Sequence, residues 1–186
     1  MDFDCGFFET PIVIIVFNRP QLTRSIFAQI RNLKPKNLFI VSDGARASVN
    51  GEKEKVIEVR KIFERIDWNC NVKKNYSDIN LGGKKRISSG LSWVFSLVSE
   101  AIILEDDCLP ALSFFKFCED MLEKYRDDHR IGMVSGNNYW PVEKISNDSY
   151  GFTKYMLTWG WATWSDRWNS FDYEILLACS LKSLQP

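Results

Sequence analysis

Short, continuously apolar runs alternate along this chain with longer amphipathic stretches. Runs that are hydrophobic throughout and rich in β-branched residues are typical of strands buried on both faces of a sheet. They predict strands at residues 11–17, 37–41, 101–104 and 132–135, with a more polar strand at 71–76. Between them, apolar residues recur at helical spacing. This pattern predicts helices at 21–33, 49–66, 87–98 and 112–125, and a short one from Tyr173 onward.

Strand and helix follow one another in regular alternation through residue 135. Such alternation is typical of βαβ units with right-handed crossovers and a parallel sheet. We therefore predict an α/β fold with a mostly parallel central sheet and helices on both faces. No linker or repeat interrupts the chain, so residues 1–186 are interpreted as one domain. In open sheets of this kind, ligands bind outside the carboxyl ends of the strands.

Composition and charge narrow the function classes. The 186 residues carry 24 basic and 24 acidic side chains, and this balance argues against a general nucleic-acid binder. The longest apolar run, residues 12–17, is too short to span a bilayer, so no integral membrane segment is expected. The N-terminus is acidic, whereas a signal peptide begins with basic residues. This difference favours a cytoplasmic protein. Five widely spaced cysteines without a C-x-x-C motif are interpreted as reduced thiols.

The acidic triplet Glu105-Asp106-Asp107 comes directly after a predicted buried strand. Three adjacent carboxylates repel one another, and each needs a partner or water. A hard divalent cation such as Mg²⁺ or Mn²⁺ would satisfy them and could neutralise a diphosphate leaving group. An ordinary acidic loop is the alternative interpretation.

Other strand ends carry weaker signals. Asn18-Arg19 could bind phosphate and Asp43 could accept hydrogen bonds from a nucleobase or ribose, although both segments also suit ordinary turns. The basic run at residues 82–86, ending in Arg86, is predicted to be a loop that either cradles phosphate or is simply solvated. It lacks the spacing of a P-loop.

Aromatic residues are concentrated near the end of the chain. Trp159-Gly160-Trp161 opens a segment that either packs against sugar rings or buries its indoles in a core. The single histidine, His129, lies in a charged stretch typical of a solvated turn. With one histidine, the sequence offers no Ser-His-Asp or Cys-His arrangement.

Taken in order, four of these segments resemble a known family. The residues from Ile14 to Arg19, from Val41 to Gly44 and from Ile103 to Asp107, followed by Trp159-Gly160-Trp161, resemble GT-A glycosyltransferases of the N-acetylglucosaminyltransferase I type and their bacterial relatives. The resemblance covers residues 11–168. It implies a GT-A Rossmann-like domain that transfers a sugar, with inversion, from a nucleotide-diphosphate sugar to a saccharide or other hydroxyl acceptor. A UDP-linked donor and Mn²⁺ (or Mg²⁺) are implied as well.

The resemblance also implies roles for individual residues. Asp107 matches the direct metal ligand, and Glu105 and Asp106 match contacts to the donor sugar and ribose. The family's arginine after the first strand matches Arg19, which follows Asn18, and its uracil-side aspartate matches Asp43. A basic donor-binding residue falls near Arg86, where the family has histidine. The segment Trp159-Gly160-Trp161 matches the wall around donor sugar and acceptor.

One family feature has no match, and the catalytic base is left unknown. In the family, the general base is an Asp in an acidic, Trp-flanked motif well beyond the Gly-Trp segment. Asp166 lies too early for it, and Asp172 is a poor candidate. The expectation is a chain whose C-terminal part is missing, so a catalytically incomplete nucleotide-sugar-binding remnant or partner module is the main alternative. A sugar nucleotidyltransferase is less favoured, because residues 18–20 lack a Gly-rich loop after the first strand.

Overall fold

A six-stranded sheet forms the centre of the protein in a computed structural model, which describes residues 7–137 and 149–170. In chain order the strands are β1 (Ile12–Val16), β2 (Asn37–Ser42), β3 (Asn71–Tyr76), β4 (Glu100–Glu105), β5 (Val134–Ser135) and β6 (Trp161–Trp164). The helices are α1 (Pro20–Leu33), α2 (Glu52–Ile62, continued by a 3₁₀ turn at Phe63–Arg65), α3 (Gly83–Phe95), α4 (Leu112–Lys124) and α5 (Ser165–Asn169). The strand order is β3-β2-β1-β4-β6-β5.

The first four strands run parallel, as the sequence predicts. A helix connects each of them to the next strand along the chain. All five residues of β1 are buried, which explains why it lacks polar alternation. β6 pairs antiparallel with both β4 and β5. The sheet is therefore mostly parallel, and the α/β prediction is confirmed.

Hydrophobic residues pack on both faces of this sheet. One cluster lies between the sheet and helices α1, α2 and α4, with Phe115 and Ile30 fully buried. The other lies under α3, where Leu91 and Val94 are fully buried against β1 and β2. The prediction of helices on both faces is thus confirmed. Among the helices of the described ranges, none combines the length and apolar character needed to cross a bilayer.

Two predictions about local structure are wrong. The basic run at 82–86 is not a loop, since α3 begins at Gly83, four residues before the predicted start. Lys84 and Lys85 are good helix formers, and Gly82 (φ 78°) supplies the turn into the helix. The segment after Gly160, for which no strand was predicted, forms β6. The predicted helix from Tyr173 lies outside the described residues.

Candidate active site

A crevice between the carboxyl ends of β1 and β4 is the place where this topology favours a ligand. From β1 the chain proceeds outward to β2 and β3, and then returns to β4 on the other side of β1. The loops that leave neighbouring parallel strands in opposite directions open a crevice at this point. Residues 17–19 leave β1 there, and residues 106–107 leave β4. The topology thus brings two of the polar strand ends into one site.

Arg19 spans the crevice and joins the two strand ends. Its Nη1 lies 3.2 Å from Oδ1 of Asp106 and 2.9 Å from Oδ2 of Asp107. The Asp106 side chain is 9% exposed, whereas those of Asp107 and Arg19 are about half exposed, at 41% and 53%. One nitrogen of Arg19 therefore lies between two carboxylates at the mouth of the crevice.

The acidic triplet is electrostatically costly, as its sequence implies. Burial raises the pKa of Glu105, and the neighbouring charges of Asp107 and Asp106 raise it further. Burial also raises the pKa of Asp106, and Arg19 opposes this effect. The charge of Asp106 is in turn the largest influence that raises the pKa of Arg19. These carboxylates depend on a positive charge beside them.

Trp159 contacts the carboxylate of Asp107 from the loop that precedes β6. Its indole Nε1 donates a hydrogen bond to Oδ1 of Asp107 at 3.2 Å, and the ring is 53% exposed. Gly160 follows with φ 76°, a left-handed conformation that glycine adopts without strain. The side-chain amide of Asn137 donates to the carbonyl of Trp159. Sequence reasoning did not single out Asn137 as a support for this loop, although it follows the apolar run of β5.

Trp161 has a different environment from Trp159. It is 6% exposed and packs in the hydrophobic cluster under α3, with Trp168 at 6.4 Å between ring centroids. The core interpretation of the tryptophan segment therefore holds for Trp161, and the packing of Trp159 against a sugar ring stays a prediction. Trp159 faces the crevice, while Trp161 lies in the core.

Asp43 lies at the same edge of the sheet, and the chain itself occupies its carboxylate. Its Oδ1 accepts hydrogen bonds from the N–H groups of Gly44 and Leu81, both at 2.9 Å. Its Oδ2 accepts from the N–H of Gly82 at 3.0 Å and from the side chain of Asn80 at 3.1 Å. A carboxylate has about four lone-pair sites, and all are used here. Asp43 thus fixes the loop that leads into α3.

This loop crosses directly over the end of β2. A Cβ at Gly44 would lie 2.5 Å from the carbonyl carbon of Ile79, so only glycine permits the approach. Arg60 donates to the carbonyls of Asp43 and Ser77, at 3.1 and 2.7 Å. The predicted contact of Asp43 with a base or ribose remains a prediction.

Asn18 and Arg86 also make contacts within the chain. The Asn18 side chain donates to Oε1 of Glu52 at 2.8 Å. Glu52 is buried, and hydrogen bonds from Arg46 lower its pKa to about 2. Arg86 is 5% exposed and donates through Nη2 to the carbonyl and side chain of Asn75, at 2.6 and 2.7 Å. Burial lowers the pKa of Arg86. Arg86 is therefore directed into the protein beside β3, and its role towards a ligand stays a prediction.

Asp166 lies away from the crevice. Asp166 follows β6, whose end pairs with Glu100 at the amino end of β4. It is therefore at the opposite edge of the sheet from the crevice, where it pairs with Arg167 and His129. Asp172 lies outside the described residues.

The donor set of the crevice fits a divalent cation that a ligand helps to hold. Within the described ranges, no group of three or more His, Cys, Asp or Glu side chains forms a self-sufficient metal site. Asp106 and Asp107 nevertheless converge on one positive group, the Arg19 guanidinium. Mg²⁺ and its analogues are often bound through one or two carboxylates, with substrate phosphates and water completing the shell. Two converging carboxylates satisfy that requirement.

Two solved structures resemble the chain in their backbone. A mannosyltransferase from Pyrobaculum calidifontis in complex with GDP-mannose and Mn²⁺ is 17% identical, with a TM-score of 0.43 over 68% of this chain and 35% of that one. A 4-diphosphocytidyl-2C-methyl-D-erythritol synthase from Anaerococcus prevotii is 12% identical, with a TM-score of 0.42 over 91% of this chain and 77% of that one. The chain thus spans about a third of the mannosyltransferase. No protein-family model and no curated protein matches the sequence.

Proposed function

We propose that the protein is a glycosyltransferase that moves a sugar from a nucleotide-diphosphate sugar, UDP-linked, to a hydroxyl acceptor, with inversion and with a bound divalent cation. The observation that carries this proposal is the meeting of Arg19, Asp106 and Asp107 at the crevice between β1 and β4. An arginine and a carboxylate pair at one crevice supply the two kinds of group that a metal–diphosphate complex requires.

The position of each residue supports the role that the family resemblance implies for it. Asp107, about half exposed at the mouth of the crevice, would hold Mn²⁺ or Mg²⁺. The cation, when bound, would neutralise the negative charge that develops on the departing diphosphate. Arg19 lies close enough to share this task by pairing with a phosphate. Asp106 and Glu105 lie deeper, where they are suited to accept hydrogen bonds from sugar and ribose hydroxyls.

Trp159 is suited to form one wall of the donor-sugar site. Its indole is about half exposed while its N–H is fixed on Asp107, so one part of the ring remains open to a ligand. Sugar rings present C–H groups that pack against aromatic faces. Inversion requires the acceptor to attack opposite the diphosphate, and a general base must lie within hydrogen-bond distance of its hydroxyl. We assign that base to none of the described residues.

Calorimetric titration with UDP, in the presence and absence of Mn²⁺, tests the proposal. We expect binding that depends on the metal, and its loss in Asp107→Asn. The matched control is Asp120→Asn, which removes an exposed carboxylate on α4 whose ion pair with Lys116 lies on the surface. A folded sample that binds no nucleoside diphosphate with Mn²⁺ would refute the proposal. Binding without sugar transfer or donor hydrolysis would favour the alternative of a nucleotide-sugar-binding module.

A further inference from the structure

We propose that Arg19 is an internal counter-cation, which occupies the cation position between Asp106 and Asp107 until a nucleoside diphosphate draws its guanidinium away. The divalent cation and the diphosphate would then bind cooperatively, because each removes an obstacle to the other. This inference rests on the proposed function and adds to it a means of controlling when the metal binds.

Arg19 and a metal ion would compete for the same carboxylate oxygens. A single nitrogen, Nη1, lies 2.9 Å from Oδ2 of Asp107 and 3.2 Å from Oδ1 of Asp106. The second oxygen of Asp107 already accepts the indole N–H of Trp159. A cation that bridges Asp106 and Asp107 therefore has to take the position that Nη1 of Arg19 now occupies between them. Two positive groups a few ångströms apart would also repel each other.

The Arg19 side chain can move away from the carboxylates while its backbone stays in place. Its carbonyl accepts hydrogen bonds from the N–H and the hydroxyl of Thr23, at 3.0 and 2.8 Å, in the first turn of α1. The Arg19 side chain itself is half exposed, and both of its described ion pairs are with Asp106 and Asp107. The exposed pair with Asp107 contributes little stability, and for the more buried Asp106 an incoming cation would replace the positive charge that Arg19 takes away.

A diphosphate would bind the Arg19 guanidinium more strongly than the two carboxylates do. Guanidinium–phosphate pairs are charge-assisted and often bidentate, whereas Arg19 here uses one nitrogen for two carboxylates. Once Arg19 has turned to a phosphate, Asp106 and Asp107 lack a positive charge. They then favour the metal ion. Reciprocity requires that the metal strengthen diphosphate binding by the same factor.

Titration of Mn²⁺ alone, followed by the electron paramagnetic resonance signal of the free ion, tests this role without any turnover. Without nucleotide, we expect Arg19→Ala and Arg19→Gln to bind Mn²⁺ about tenfold more tightly than the wild type, within the usual range of coupling between sites. Arg19→Lys keeps the positive charge and should stay close to the wild type. Arg31→Ala is the matched control, since it removes an exposed ion pair with Asp67 further along α1.

The outcomes separate this inference from the proposed function. Mn²⁺ affinity that is unchanged or weaker in both Arg19→Ala and Arg19→Gln, with folding verified by thermal melting, would overturn the counter-cation role. If the wild type fails to bind UDP with Mn²⁺, the proposed function is refuted instead. A tenfold gain in Arg19→Ala, with wild-type affinity in Arg19→Lys and Arg31→Ala, would support the proposal.

Discussion

The carboxylate of Asp43 offers the sharpest test of how this edge of the sheet is built. It is 5% exposed and accepts four hydrogen bonds from residues 44 and 80–82. The substitution Asp43→Asn keeps the size of the side chain but replaces one acceptor oxygen with an NH₂ group. If the remaining oxygen keeps the N–H groups of Gly44 and Leu81, then the N–H of Gly82 and the side chain of Asn80 face a donor.

The size of the effect follows from those two lost bonds. A donor left unpaired in a buried position costs about 1–3 kcal/mol. The Asn80 side chain can turn towards solvent, whereas the N–H of Gly82 is fixed at the start of α3. We therefore expect Asp43→Asn to lower the free energy of unfolding by about 2–4 kcal/mol, a large part of the ~5–15 kcal/mol typical of folded proteins.

Urea denaturation measures this loss directly. With a slope near 3 kcal/mol/M, which suits a chain of this size, the midpoint should fall by about 1 M. Asp78→Asn is the control, because it removes an exposed carboxylate from the same loop. A midpoint close to that of the wild type, combined with loss of UDP binding, would refute the reasoning. It would mean that the carboxylate serves a ligand rather than the loop.

Three further predictions concern packing, pH and the aromatic wall. Gly90→Ala places a Cβ 2.5 Å from Cγ1 of the stiff Val41 side chain, so we expect the free energy of unfolding to fall by about 1 kcal/mol. A second substitution, Val41→Ala, should partly relieve this loss. Arg46 lowers the pKa of Glu52 to about 2, so the stability that Glu52 contributes is complete above its unfolded pKa and is lost as pH falls towards 2. The stability difference between wild type and Glu52→Gln should therefore shrink from pH 5 to pH 2. Trp159→Phe removes the indole that donates to Asp107, the proposed metal ligand. Most of the change in tryptophan emission on adding Mn²⁺ and UDP should therefore disappear, while binding measured by calorimetry persists.

Each of these has an outcome that contradicts it. Strictly additive effects of Gly90→Ala and Val41→Ala would show that the close contact is not the cause. A stability difference for Glu52→Gln that is constant with pH would remove the role assigned to its ion pair with Arg46. An emission change in Trp159→Phe equal to that of the wild type would place the reporting tryptophan elsewhere.

Most of the central sheet could be predicted from the sequence because its strands are buried on both faces. The residues of β1 and the middle of β2 and β4 have no polar alternation, and polar residues follow each of them within two positions. The signal is therefore local, since an apolar run and its polar boundary lie within a few residues. The parallel topology then follows from the helical segments between the strands.

The start of α3 and the strand β6 were beyond sequence reasoning because distant partners create them. Gly82 is held at the head of α3 by a carboxylate 39 residues earlier, that of Asp43. β6 is four residues long and exists through its pairing with β4 and β5. No local pattern within residues 161–164 distinguishes a strand from a loop that carries aromatic residues.

The sequence by itself determined which chemical groups stand at the ends of the strands, whereas the tertiary structure decided which of them lie in the open crevice and which bind partners within the chain. Asp43 and Arg86 are directed to partners within the chain, and Trp161 is buried. Arg19 and Asp107, which are 88 residues apart, meet in the open crevice. The physical reason is that burial and hydrogen-bond partners depend on segments far apart in the chain. A short stretch of sequence specifies its own residue types, but not the distant segments that will pack against it.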